Sequence, residues 1–217
     1  MFLHIHPYPP FIPKETTKLI VGTLPPPRFT TKTLNDRDVD FCYGSSSGLL
    51  WPVLDHIFNL NLVYETSVIA IKQRRNFLME RNIGVCDIVA SCKRQKIDAS
   101  DLGMQAVELR DLIGILKRNP LIDTLLFTGG NSKNGPEYFF RKHCKTYGIS
   151  LKVINGVVPR IHRFSIANRT IKTVSLTAPS GAANRSIGGM DCYKQKKQRN
   201  PAYTTLDFRI EQYAPFF

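Results

Sequence analysis

LIVGTLPPPRF (Leu19 to Phe29) and, far downstream, VSLTAPSGAANRS (Val174 to Ser186) are the two stretches whose reading decides the fold of this chain. Each is a short apolar run that breaks abruptly into a loop of Gly, Pro, Ser and Ala. A run of that length fits a buried strand, and the strand ends of an α/β sheet are where such proteins place their sites. Pro25, Pro26 and Pro27 forbid continuation of the first strand, because proline cannot donate to a sheet ladder.

Working outward, Lys18 to Gly22 reads as the first strand and Leu49 to Phe58 as a helix, with Leu50, Val53, Leu54 and Ile57 at positions i, i+3, i+4 and i+7. Ser67 to Ile71 and Gly84 to Val89 read as strand or strand-end material around a charged helix, Gln73 to Arg81. Leu109, Leu112, Ile113 and Leu116 give helical spacing between Ala106 and Arg118, and Asn119 with Pro120 stops that helix. Thr124 to Thr128 reads as a strand running into the turn Gly129, Gly130, Asn131, after which Pro136 opens a helix. Ile149 to Ile154 and Thr173 to Leu176 complete the strands. Strand and helix alternate throughout, so the expected fold class is α/β, a mostly parallel sheet covered by helices on both faces.

The 217 residues suit one domain, 1–217, with a Pro-rich N-terminal arm (1–17) and a basic loop near 192–201. A formal charge of +13, from 30 Lys and Arg against 17 Asp and Glu, makes a polyanion the natural partner. Nucleic acid is favoured over membrane, because no segment approaches the roughly 20 continuous apolar residues that span a bilayer. The start MFLHIHPYPPFIPK lacks a basic n-region and carries four prolines, unlike a secretory signal. Five cysteines, odd in number and without a CxxC pair, fit a reduced, intracellular (cytoplasmic) protein with no structural metal.

The two loops, with FCYGSSSGLLWPVLDHIF (Phe41 to Phe58) and GVCDIVASCKRQKIDASDLG (Gly84 to Gly103), resemble the uracil-DNA glycosylase superfamily, nearest its hypoxanthine-DNA glycosylase-like branch and more distantly its mismatch-specific branch. The resemblance implies a three-layer α/β/α domain that hydrolyses the glycosidic bond of a deaminated or damaged base in single- or double-stranded DNA. A monomer is expected, and one without cofactor, since Cys86 and Cys92, six apart, and three scattered cysteines do not reproduce the spacing of the iron-sulfur cluster that some branches carry. By that likeness Gly22, Thr23, Leu24 and Pro25 match the Gly-x-x-Pro loop facing the attacked sugar carbon. Tyr43 with Leu50 and Trp51 resembles the aromatic that precedes a Phe-Trp pair. Pro179, Ser180 and Asn184 match the loop that enters the minor groove. Three positions depart from it: Leu24 stands where relatives carry asparagine or aspartate, Gly48 where one branch has a catalytic asparagine, and Ala178 where the classical branch has histidine. Two expectations therefore stand, a glycosylase that relies on other polar groups and a member that binds a flipped base without cleaving it.

The residues themselves supply candidates for either. Cleavage develops positive charge on the sugar and negative charge on the base, which calls for a placed water, donors at the base and a dry pocket. Asp87 is the first catalytic candidate by the same resemblance, since GVCDIV is similar to a segment where mismatch-specific relatives carry a base-reading asparagine and hypoxanthine-type relatives an aspartate. A buried carboxyl there could donate to a base or assist its leaving nitrogen, against a structural role in capping a turn or pairing with Arg94. Asp40, and with it Asp38, could place a water. Phe41 and Tyr43 could stack on a base, Gly44 is expected with them in the base pocket, and Asn131 could read a base edge or serve its turn. Ser180, Gly181, Ala182, Ala183, Asn184 and Arg185 suit contact with DNA, with Asn184 shaping the loop and Arg185 meeting phosphate. Lys194, Lys196 and Lys197 form the densest basic cluster. His56, His143 and His162 read as structural.

Overall fold

The computed structural model describes residues 1–217. In chain order its elements are β1 (Phe2–Ile5), β2 (Lys18–Val21), α1 (Pro27–Thr30), α2 (Leu50–Phe58), α3 (Val68–Glu80), β3 (Ile83–Val85), β4 (Val89–Arg94), β5 (Gln105–Leu109), α4 (Leu112–Arg118), β6 (Thr124–Phe127), α5 (Pro136–Thr146), β7 (Lys152–Asn155), β8 (Arg160–Ile166), β9 (Arg169–Ser175), α6 (Asn184–Gly189), α7 (Asp191–Arg199) and α8 (Thr205–Tyr213). Six strands form the central sheet in the order β3-β2-β6-β9-β8-β7. The first four run parallel, β8 pairs antiparallel with β9, and β7 pairs antiparallel with β8.

Alternation within β2 shows why two helical layers are needed. Leu19 and Val21 enter a core on one face with Leu112, Ile113 and Leu116 of α4 and Phe139 and Phe140 of α5. Ile20 points the other way into a core shared with α2, α3 and Tyr213 of α8. A strand buried on both faces reads as an unbroken apolar run, as this one does. Truncating fully buried Leu54 in the second core to Ala would cost about 2–5 kcal/mol, through lost transfer energy plus a cavity.

Several expectations change. Residues 2–5 are not a free arm but a strand: β1 pairs antiparallel with β4, and β4 with β5, in a second, three-stranded sheet. Phe11 then exchanges two backbone hydrogen bonds with Val85, which covers the β3 edge of the main sheet. Ser67 is the N-cap of α3, its side chain accepting from the Ala70 amide, so Val68 to Ile71 is helix and not strand. The helix expected from Ala106 begins only at Leu112, because Asp111 caps it by accepting from the Gly114 amide. Before that cap Val107 and Leu109 alternate with exposed Ala106 and Glu108 as strand β5. Arg160 to Ile166, in no expected element, is a seven-residue strand hairpinned to β9. The basic segment near 192–201 is mainly helix α7, formed by good helix formers and an Asp191–Lys194 pair one turn apart.

Candidate active site

The parallel strands β2, β3, β6 and β9 end on one side of the sheet, and a cleft of about 240 Å³ opens there. Its wall is made by Gly22 to Pro26 after β2, Asp87 after β3, Thr128 after β6 and Ala178 to Ser180 after β9, with Tyr43, Ser45, Ser47, Gly48, Leu50, Ala99 and Asp101. That volume lies below the roughly 300–1,000 Å³ of sites for drug-sized ligands, so it suits a fragment of one or two rings. A larger cleft of about 700 Å³ continues from it, and Asp101, Thr128 and Ala178 belong to both.

Asp87 is the most constrained group in the wall. Its Oδ1 accepts from the Gly22 amide at 2.7 Å and from the Tyr43 hydroxyl at 2.9 Å, and its Oδ2 lies 2.9 Å from His6 Nε2. The Tyr8 amide donates to His6 Nδ1, so in the neutral ring Nε2 carries the hydrogen and donates to Asp87. Arg94 takes no part; it donates to His4 Nδ1 and to the Ser100 carbonyl. Burial first, then Arg94 and His6, lowers His4 to about 4, while the nearby Pro25 carbonyl opposes the shift without closing a hydrogen bond to His4 Nε2. Alternate residues of one extended segment thus bring two imidazoles under the Gly22 loop.

Gly22 is required by crowding. A Cβ there would collide with the Tyr43 hydroxyl and stand 2.8 Å from Asp87 Oδ1 and 2.9 Å from Thr128 Oγ1. Tyr43 itself has φ of 58°, a left-handed conformation that costs a residue with a Cβ about 1–3 kcal/mol and is offset only by fixed surroundings. Those are the Asp87 contact and Thr128 Oγ1 at 3.1 Å. Burial, then the Asp87 charge, pushes the Tyr43 phenol well above its usual range, so it stays protonated and donates.

Asp101 is the second carboxylate of the wall. Thr23 Oγ1 donates to it at 2.8 Å. Burial pushes its pKa up to about 6, helped by the charge of Asp87 and opposed by the Thr23 hydroxyl and Arg94. Its backbone carbonyl accepts from Asn134, which ties the 98–103 segment to the turn before α5. The sequence offered no periodic or spacing signal for Asp101. The imidazoles were more legible, since FLHIH alternates with period two.

Gly22, Thr23, Leu24, Pro25, Tyr43, Asp87 and Ser180 come together in this wall. Phe41 does not: it is buried in the second core, edge-on to Phe11 and beside Trp51. Gly44 closes a tight turn beneath Tyr43, its amide donating to the Phe41 carbonyl. Asp40 accepts from the Tyr8 hydroxyl and from Lys32 and lines a separate surface cleft. Burial alone would raise Asp38, but Arg28 and the Ser46 and Asn35 amides hold it well below the usual carboxylate range, which makes it the brace of its loop. Asn131 is exposed on its turn.

The second loop is shaped from below. Arg209 of α8, fully buried, donates to the Ala178 and Ser180 carbonyls and to Asn184 Oδ1. Its sequence signal was an arginine on the inward stripe Leu206, Arg209, Tyr213. Gly181, Ala182, Asn184 and Arg185 are exposed and Ala183 is half-buried. Lys194 pairs with Asp191, Lys196 with Glu211 of α8, and Lys197 donates to the Pro201 and Tyr203 carbonyls, so this cluster is partly committed to its own helix, the turn after it and α8.

No family model matches the chain, and no curated protein matches it. Among solved structures it is similar to the solution NMR structure of a protein from Methanosarcina acetivorans described as a "putative Uracil DNA glycosylase". The two share 16% identity over 97% of this chain and 99% of that one, with a TM-score of 0.54. The fold is shared. It is a mixed α/β fold with a central, mostly parallel sheet flanked by helices.

Proposed function

We propose that this chain is a monofunctional DNA glycosylase of the uracil-DNA glycosylase superfamily that removes a deaminated base, of the uracil or hypoxanthine class, by hydrolysis. One observation carries the reading: a cleft sized for a single base, at the ends of the parallel strands, holds two carboxylates in contrasting surroundings. In the proposed step the C1′–N bond breaks and its electron pair leaves with the base. The positive charge that develops on the sugar faces Asp87, an acceptor already fixed by three donors. Water adds its oxygen to C1′ and its proton passes to Asp101. A pKa of about 6 leaves Asp101 mostly deprotonated at neutral pH yet basic enough to take that proton. Hydroxyls of Ser45, Ser47, Thr128 and Ser180 line the same cleft and can donate to the departing base. The charge of +13 supports a duplex or single-stranded DNA partner, and stacking falls to Tyr43, since Phe41 is core.

The test is base excision from single- and double-stranded oligonucleotides carrying uracil, hypoxanthine or xanthine, read by strand cleavage after alkali, with Asp101→Asn in parallel. Release of one of these bases, reduced in the variant, is the expected result. Salt-sensitive DNA binding without release of any base would favour the non-cleaving reading, toward which Leu24, Gly48 and Ala178 in the wall point.

A further inference from the structure

The register of the central sheet lines up one residue from each of five neighbouring strands. Lys18 of β2 stands opposite Thr124 of β6, Thr124 opposite Lys172 of β9, Lys172 opposite Arg163 of β8, and Arg163 opposite Lys152 of β7. Paired residues project to the same face of a sheet. Here it is the face that sends Ile20, Leu126 and Val174, each two residues further along, into the core with α2, α3 and α8. Four of the five positions are cationic and none is acidic.

Three of the four cations have no partner. Lys152, Arg163 and Lys172 are exposed and make neither an ion pair nor a side-chain hydrogen bond. Lys18 donates only to the Phe217 carbonyl, at 3.0 Å, and burial, then Arg81 and Lys172, lowers its pKa against the opposing charge of Asp123. The carboxylate nearby, Asp123, accepts from the Thr124 hydroxyl at 2.7 Å. Like charges directly opposite on neighbouring strands oppose pairing, so the row is a standing cost to the sheet unless something anionic covers it. It also lies apart from the cleft: Lys18 and Lys172 precede the strand ends at Val21 and Ser175 by three residues, about 10 Å.

We propose that this row is a second nucleic-acid contact, gripping the phosphate backbone of a duplex along the sheet face rather than at the cleft. The four cations stand in line instead of converging on one point, as a site for a single phosphate would require. At ~4.8 Å per strand the row spans ~19 Å, a length over which B-DNA presents one charge per ~1.7 Å. The contact carries no sequence information, since phosphate contacts position a protein without reading bases. It holds duplex while the cleft samples it, and it does not depend on whether the cleft cleaves.

The test is binding of a long random-sequence duplex over a salt series by the full chain and by the triple variant Lys152→Gln, Arg163→Gln, Lys172→Gln. The logarithmic salt slope should become shallower by about 2.7, at 0.9 for each lost phosphate contact, with affinity down tenfold or more at low salt. The melting temperature should hold or rise, because repulsion is removed, and the charge-preserving variant Lys152→Arg, Arg163→Lys, Lys172→Arg should restore the slope. An unchanged slope and affinity in the Gln variant would overturn the proposal. So would loss of binding to phosphatidylserine vesicles with duplex binding intact, which would make the surface one for lipid. If no oligonucleotide loses a base, the glycosylase reading fails and the salt slope still decides this one.

Discussion

Asp87 and Asp101 line one cleft and are built in opposite ways. Asp87 is closed in by three donors from three distant segments, at Gly22, Tyr43 and His6, and its oxygens are held in place. Asp101 has the Thr23 hydroxyl as its side-chain partner and lies on a short turn, where burial lifts its pKa to about 6. A carboxylate surrounded by donors is suited to staying an acceptor and facing positive charge. One that is desolvated and thinly hydrogen-bonded is suited to exchanging a proton near neutral pH. Two identical functional groups thus acquire different chemical character from their surroundings alone.

The sharpest way to break the comparison is Asp87→Ala, which leaves the Gly22 amide, the Tyr43 hydroxyl and the His6 ring without an acceptor. It should abolish excision and destabilise the chain by about 3 kcal/mol, as urea unfolding would show. Asp101→Asn should lower kcat about 100-fold with KM little changed, the general-base contribution alone. An equal rise in KM would mean that Asp101 binds substrate instead. Tyr43→Phe removes one of the three donors to Asp87 and should cost about tenfold in kcat, with a stability loss near 1 kcal/mol.

The pH dependence separates the two carboxylates further. Excision by the parent chain should rise with pH through about 6 and level off above 7, whereas Asp101→Asn should lose that limb. Stability runs the other way. The folded pKa of Asp101 is raised, so between about 4 and 6 the unfolded chain has released a proton that the folded chain still holds, and stability falls as pH rises through that window. The Asn variant does not titrate. It should melt about 5–10 °C above the parent at pH 8 and level with it near pH 4, because a pKa raised by about two corresponds to about 3 kcal/mol and each kcal/mol moves the midpoint by about 2–4 °C in a chain this long. A variant less stable than the parent at pH 8 would mean that Asp101 is stabilised as an anion, contrary to its surroundings.

Much of this site was legible before folding. Gly22 to Pro25, Asp87 and Ser180 sit on segments whose composition announces a strand end, the sheet brings those ends together, and Tyr43 joins them from the loop before α2. Phe41 and Tyr43 had equal claims as stacking faces. Which ring turns inward depends on Phe11 and Trp51, packed from other elements, and on the positive φ at Tyr43. Asp40 and Asp38 read alike as loop acids, yet one meets Tyr8 and Lys32 and the other is enclosed by Arg28 and two amides. His6, Asp101 and Arg209 were missed because their significance lies in partners that local pattern does not contain.

By itself the sequence determined the α/β class, the two loops that close the cleft and the basic balance, because apolar periodicity, proline stops and net charge are local or additive properties. Only the tertiary structure decided which carboxylate is pinned and which is poised, that residues 2–5 are a strand holding up the first loop, and that four cations from four strands share one row. Those outcomes are set by burial and by pairing between segments far apart in the chain, His6 with Asp87 across 81 residues among them, and no local pattern encodes such distances.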